Sequence, residues 1–242
     1  MRRWSLQLLG ILGVELSVRG DPPGVEPRTG VVVANHVSWL DIFVISAVSP
    51  CRFVAKAEIR RWPLIGYLSE RAGTIFVERS RRHDAARVNG EIRRLLAAGE
   101  RLAVFPEGTT TDGTELKIFH PSLLQPAVEV VAPVHPAALL YRDASGALSR
   151  AVPYYGDMSF AGSLKRILGE PYTRAEIVFC EPIDPRSLTR HELARASEQA
   201  IAAALGLPLP RRRPGTPAGP AGAAPSASRP IRSPYPASPE PR

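Results

Sequence analysis

Val31-Val32-Val33-Ala34-Asn35-His36-Val37-Ser38-Trp39-Leu40-Asp41 is the stretch whose reading decides the fold. Gly30 followed by a β-branched run reads as a buried strand, and Ser38 followed three residues later by Asp41 reads as a helix start. His36 therefore stands on a strand-to-helix turn. Five residues on a regular helix turn through roughly 500°, about 140° off a shared face, so the two side chains meet only if His36 precedes the helix and Asp41 is in its first turn. An aspartate there is favoured as an anion by the helix dipole, and it can accept a hydrogen bond from one imidazole nitrogen while the other acts as a base. No serine or cysteine is obviously placed to be acylated, so the natural nucleophile belongs to a substrate. The same residues also read as a capping box, with Ser38 as N-cap, Asp41 at N3 and His36 a turn histidine. This stretch alone supports both.

Outward from it, the chain alternates strands and helices on short connections. Val14 to Val18, Arg52 to Lys56, Gly73 to Arg79 and Leu102 to Phe105 read as strands. Val88, Ile92, Leu95 and Leu96 mark a helix with Gly99 just past its end. Glu58 to Glu70 is helical in places but broken by Pro63 and Gly66. Pro121 to Val130 is expected to be a helix, Val131 to Val134 and Val152 to Tyr155 strands, Ser159 to Leu168 a helix and Ala175 to Cys180 a strand. An alanine-rich helix from Arg190 to Leu205 closes at Gly206. This pattern predicts a single α/β domain, a largely parallel mixed sheet flanked by helices. Its ligand loop is expected at Pro106-Glu107-Gly108-Thr109-Thr110-Thr111-Asp112-Gly113, directly after a strand.

Composition adds boundaries. With 44% apolar and 22% charged residues in 242, the chain is ordinary globular protein, except that its prolines collect at the end. From Leu207 onward it is Pro, Ala, Gly, Ser and Arg without periodicity, an expected disordered tail over 207–242. Arg211, Arg212, Arg213, Arg229, Arg232 and Arg242 against Glu240 place five of the eight net positive charges there, so the folded part does not suggest a nucleic-acid partner. Two cysteines, Cys51 and Cys180, imply neither a disulfide framework nor a zinc site. Residues 1–12, with Arg2, Arg3 and Trp4 beside leucines, read as an amphipathic start that either lies in a membrane interface or docks on its own domain. Residues 13–206 are then the expected folded domain.

Four groups of residues carry a resemblance. His36 and Asp41 as H-x4-D, Gly73 to Arg79 as G-x-I-F-V-x-R, Phe105 to Thr109 as F-P-E-G-T, and Val131 to Val134 as V-x-P-V stand in the order of the sequence blocks of the glycerolipid acyltransferases. The chain resembles the lysophosphatidic acid acyltransferase group of that family. The resemblance implies acyl transfer from acyl-CoA or acyl carrier protein to the free hydroxyl of a lysophospholipid, 1-acylglycerol-3-phosphate giving phosphatidic acid, at the cytoplasmic face of a membrane. It implies His36 as base and Asp41 as its partner, with Lys56 and Arg79 on the acceptor phosphate. Glu107, Gly108 and Thr109 would shape the acceptor site, and Pro133 would form the acyl-binding wall. No metal or bound cofactor is called for. Many relatives continue with Phe-Lys-x-Gly where this chain has Lys117-Ile118-Phe119-His120, and the Thr109-Thr110-Thr111-Asp112-Gly113 version resembles a branch that acylates lyso-ornithine lipid and other lysolipids. A non-catalytic lipid-binding protein is the alternative of a different class, and an intact His36, Asp41 and Glu107 argue against it.

Overall fold

The computed structural model describes residues 1–24, 29–56, 66, 74–77 and 82–212. The elements run α1 (Arg2–Ile11), β1 (Val14–Arg19), β2 (Gly30–Ala34), α2 (Asp41–Val48), β3 (Arg52–Lys56), β4 (Ile75–Val77), α3 (Arg82–Ala97), β5 (Arg101–Val104), α4 (Gln125–Glu129), β6 (Val134–Arg142), α5 (Phe160–Leu168), β7 (Thr173–Phe179) and α6 (Arg190–Leu205). Among the described residues seven strands form one sheet in the order β1-β7-β6-β2-β5-β3-β4. Only β6 and β7 pair antiparallel; the rest are parallel, so this is the α/β sheet the sequence predicts.

β2 is central and every one of its residues is buried. Alternate side chains enter opposite layers: Val32 and Ala34 join the core under α1, α2 and α5, whereas Val31 and Val33 join the core under α3, α4 and α6. A strand covered on both faces must be apolar throughout, which is why it reads as a continuous run. Gly30 opens it at φ +130°, where an added Cβ would stand 2.9 Å from the Pro133 carbonyl oxygen. That carbonyl accepts from Val31 N at 2.9 Å, setting the β2–β6 register.

The helix α2 buries Asp41, Phe43, Val44, Ile45, Ser46 and Ala47, leaving it no polar face. A helix apolar all round needs cover on both sides. The sheet supplies one cover and α1 the other, through Leu9 and Leu12 in the core, Trp4 edge-to-face on Phe43 at 5.4 Å, and Arg2 Nε donating to Ala47 O at 3.1 Å. So α1 docks on its own domain. It still presents Trp4, Leu6 and Ile11 to solvent, Ile11 at 76% exposure. No helix among the described residues is long and apolar enough to cross a membrane.

Several expectations shift. The helix after His36 begins at Asp41, not Ser38. Pro121 to Val130 splits into a 3-10 turn, Pro121–Leu124, and α4, with Pro126 in the first turn, where its missing N–H costs nothing. The expected strand from Val131 starts instead at Val134 and runs nine residues to Arg142, because Val131 turns at φ 55°. Val152 to Tyr155 is irregular, held by Tyr154 N donating to Val37 O at 2.9 Å. Most of Glu58 to Glu70 lies outside the described residues. Past Gly206, which closes α6 in the left-handed conformation, the chain keeps defined contacts as far as Arg212. There Arg212 Nη2 donates to both oxygens of the fully buried Glu198, at 3.0 Å each, and Glu198 also accepts from Arg195 and from Phe119 N. The tail boundary expected at Leu207 is thereby displaced, since a buried carboxylate needs its cationic partners.

Candidate active site

The turn between β2 and α2 is bolted down from three directions. Asn35, first after the strand, donates from Nδ2 to Leu139 O at 2.9 Å and accepts Leu139 N on Oδ1 at 2.7 Å, so its amide continues the β2–β6 ladder after the main chain has left it. Next, His36 N donates to Glu107 Oε1 at 2.7 Å and His36 O accepts Thr111 N at 2.9 Å, which ties the turn to the loop after β5. Phe105 stacks on the imidazole with centroids 4.0 Å apart and planes 11° apart. The ring can neither tip nor slide.

Asp41 completes the arrangement. Its Oδ2 receives His36 Nδ1 at 2.7 Å, Val37 N at 2.7 Å and Ser38 N at 3.0 Å, and its Oδ1 receives the Tyr141 hydroxyl at 2.6 Å. The capping-box expectation is thus inverted. α2 has no side-chain cap, the Ser38 hydroxyl accepts only from Leu40 N at 3.4 Å, and the Asp41 carboxylate reaches back to the amides of the preceding turn. An ionised carboxylate only accepts, so Nδ1 carries the proton and Nε2 carries a lone pair. Nε2 has no hydrogen-bond partner among the described residues, and the His36 side chain is 21% exposed while Asp41 is fully buried. An imidazole held this way has the geometry to accept a proton on Nε2 while the carboxylate compensates its charge.

Glu107 also lies behind His36. Its two oxygens accept His36 N at 2.7 Å and Lys117 N at 2.9 Å, and it is almost wholly buried, so it acts on the turn and not on an open acceptor site. Burial pushes its carboxyl up to about 7, against the pull of the two amide donors, and the nearby Asp41 charge adds to the rise. Gly108 follows at φ +73°, a conformation that suits glycine, with its N–H on Phe105 O at 3.1 Å. Thr109 is exposed at the rim. Thr110 donates to the Tyr154 carbonyl, closing the loop against the irregular segment beyond β6.

The remaining expected site residues divide by position. Parallel pairing brings the C-terminal ends of β2, β3, β4 and β5 to one edge, so the backbone of Lys56 arrives on the His36 side of the sheet, opposite Val77 of β4. The Lys56 side chain and all of Arg79 lie outside the described residues. Pro133 lies at the other edge, beside Gly30, and the length of β2, roughly 13 Å at 3.3 Å per residue, separates it from the His36 end. There its carbonyl accepts from Val31 N and anchors the β2–β6 register. Tyr141 is a residue that sequence reasoning missed, since nothing local to it in sequence marks it. Asn35 stood in the quoted stretch without a role; an asparagine directly before the histidine, at the end of a buried strand, was the available signal. Among the described residues no three His, Cys, Asp or Glu side chains converge as metal ligands do.

A family model described as Acyltransferase matches residues 18–140. The chain is 40% identical over 204 residues to the lyso-ornithine lipid O-acyltransferase of Pseudomonas aeruginosa, covering 84% of this chain and 77% of that protein. It is 37% identical over 196 residues to the 1-acyl-sn-glycerol-3-phosphate acyltransferase of Neisseria gonorrhoeae, covering 81% and 76%. The fold is similar to the crystal structure of the 1-acyl-sn-glycerophosphate acyltransferase PlsC of Thermotoga maritima, with a TM-score of 0.65 at 21% identity over 85% of this chain and 76% of that one.

Proposed function

The chain belongs to the acyltransferase family, and we propose that it moves a fatty acyl group from a thioester to the free hydroxyl of a lysolipid, with His36 as the base. The observation that carries this reading is the lone pair of His36 Nε2, left without a partner while Asp41 fixes Nδ1. Such a base needs an incoming hydroxyl. Nε2 takes the hydroxyl proton as the oxygen attacks the thioester carbonyl, and Asp41 compensates the imidazolium. The tetrahedral intermediate then collapses, the carbon–sulfur bond breaks, and the departing thiolate takes the proton from the imidazolium. Atoms and charge balance without an acyl-enzyme.

The donor is acyl-CoA or acyl carrier protein in this reading. The first acceptor is 1-acylglycerol-3-phosphate, with Arg79 as a guanidinium fork for its phosphate and Lys56 as a second contact. Lyso-ornithine lipid is the second, favoured by the 40% identity to the Pseudomonas protein. The test is free-thiol release from oleoyl-CoA with each acceptor in turn, beside His36→Ala. Acceptor-dependent release that His36→Ala abolishes supports the reading, and the better acceptor identifies the headgroup. A His36→Ala protein with near-normal turnover overturns the role of base.

The exposed apolar residues of α1 are proposed to lie in the interface of a membrane, at its cytoplasmic face, with Arg3 toward anionic headgroups. Deleting α1 would also strip the cover from α2, so the informative variant is the surface double substitution Leu6→Gln with Ile11→Gln. It should sediment less with anionic vesicles at unchanged melting temperature; undiminished sedimentation would remove α1 from that role.

A further inference from the structure

The proposed reaction uses two side chains from one turn, and a third side chain from across the sheet holds them. Tyr141 lies on β6, one hundred positions from Asp41 in the chain, yet its hydroxyl donates to Asp41 Oδ1 at 2.6 Å with both residues buried. The division between the two carboxylate oxygens is strict. Oδ2 serves the imidazole and the amides of Val37 and Ser38, whereas Oδ1 has the phenol. Without the phenol, Oδ1 would be a buried acceptor with nothing to accept, and the carboxylate would be free to rotate toward another donor. β6 can bear this load because the same strand takes the Asn35 clamp at Leu139, two residues earlier and on the same face as Tyr141.

From this geometry we infer that Tyr141 is a positioning residue of the acyl transfer, orienting Asp41 and drawing charge from its carboxylate so that His36 can both take and release a proton. The inference rests on the reading of His36 as base. The phenol remains the donor throughout, because burial first, and then the Asp41 charge and hydrogen bond, push it well above its ordinary value. Of the other ionisable groups, Glu107 on the loop after β5 feels the Asp41 charge, and Lys117 acts in turn on Glu107. On the remaining sides His36 meets the Phe105 ring and the neutral Asn35 precedes it.

Tyr141→Phe keeps the ring in the core and deletes one oxygen. Assayed beside His36→Ala, it should lower kcat by roughly tenfold to a hundredfold, the span of one hydrogen bond to a charged group, with KM for both substrates unchanged. It should also move the acid limb of the kcat/KM profile to higher pH, because a carboxylate relieved of its Oδ1 donor holds the imidazole proton more tightly. A purely packing role would lower the melting temperature without moving that limb. Wild-type kcat, or a lowered kcat with an unmoved limb, overturns the inference while an inactive His36→Ala leaves the base in place. An active His36→Ala overturns the base and the inference with it.

Discussion

Two buried carboxylates grip His36, one by its imidazole and one by its main chain. Asp41 meets four donors, two of them amides of the turn, one the imidazole and one a phenol. Glu107 meets two, both backbone amides, and burial pushes it up to about 7. The same functional group is therefore used in two ways. In the proposed reaction Asp41 works by charge, since it offsets an imidazolium. Glu107 works by acceptor geometry, joining the β2–α2 turn to the loop after β5, and its charge is a burden that the fold only partly offsets.

The sharpest way to break this contrast is Asp41→Asn. The amide oxygen can still take the turn amides, so the fold should survive, but the charge is gone; kcat should fall by about 10²- to 10⁴-fold, measured as acceptor-dependent thiol release. A fall of less than fivefold would show that charge at this position is dispensable. Glu107→Gln should do less. Its oxygen satisfies one amide while its NH₂ faces the other donor to donor, and kcat should drop roughly tenfold, the rate equivalent of about 1.4 kcal/mol, with KM little changed. A loss matching that of Asp41→Asn would instead give Glu107 a part in the chemistry.

A further expected effect is on stability, where it is spread over several pH units. The folded-state pKa of Glu107, about 7, is raised above its ordinary 4.5, so the native state binds the proton more tightly than the unfolded chain. Its contribution is fully present below pH 4.5 and is lost as pH rises through 7, a decline on the order of 3 kcal/mol from this group. Denaturant midpoints of Glu107→Gln and wild type, compared at pH 5 and pH 8, should show the variant losing less stability over that interval. Parallel slopes would place the proton elsewhere.

Much of this site was legible because it is local. A β-branched run, a histidine and an aspartate five positions on were enough to expect a strand and a turn, with a capping box and a His36–Asp41 pair as alternatives that the four ordered sequence blocks resolved toward the pair; the structure has the strand, the turn and the His36–Asp41 hydrogen bond. The capping box failed for a definable reason: a carboxylate at the helix start can reach the amides behind it as readily as a serine can reach those ahead, and sequence spacing does not say which bond wins. Glu107 was visible as a residue of interest, but its function as a main-chain clamp was not, because its partners are His36 N and Lys117 N, and any residue type supplies an N–H.

The chain by itself determined the alternation of strands and helices, the central buried strand, the His36–Asp41 pair and α6 to the residue. These follow from periodicity, β-branching and capping, whose physics acts within a few residues. Only the tertiary structure decided that Tyr141 and Leu139 meet Asp41 and Asn35, that α1 covers α2, and that Arg212 returns to Glu198. Those contacts join residues far apart in the chain, and their partners are selected by sheet register and burial, which exist only once the chain has packed.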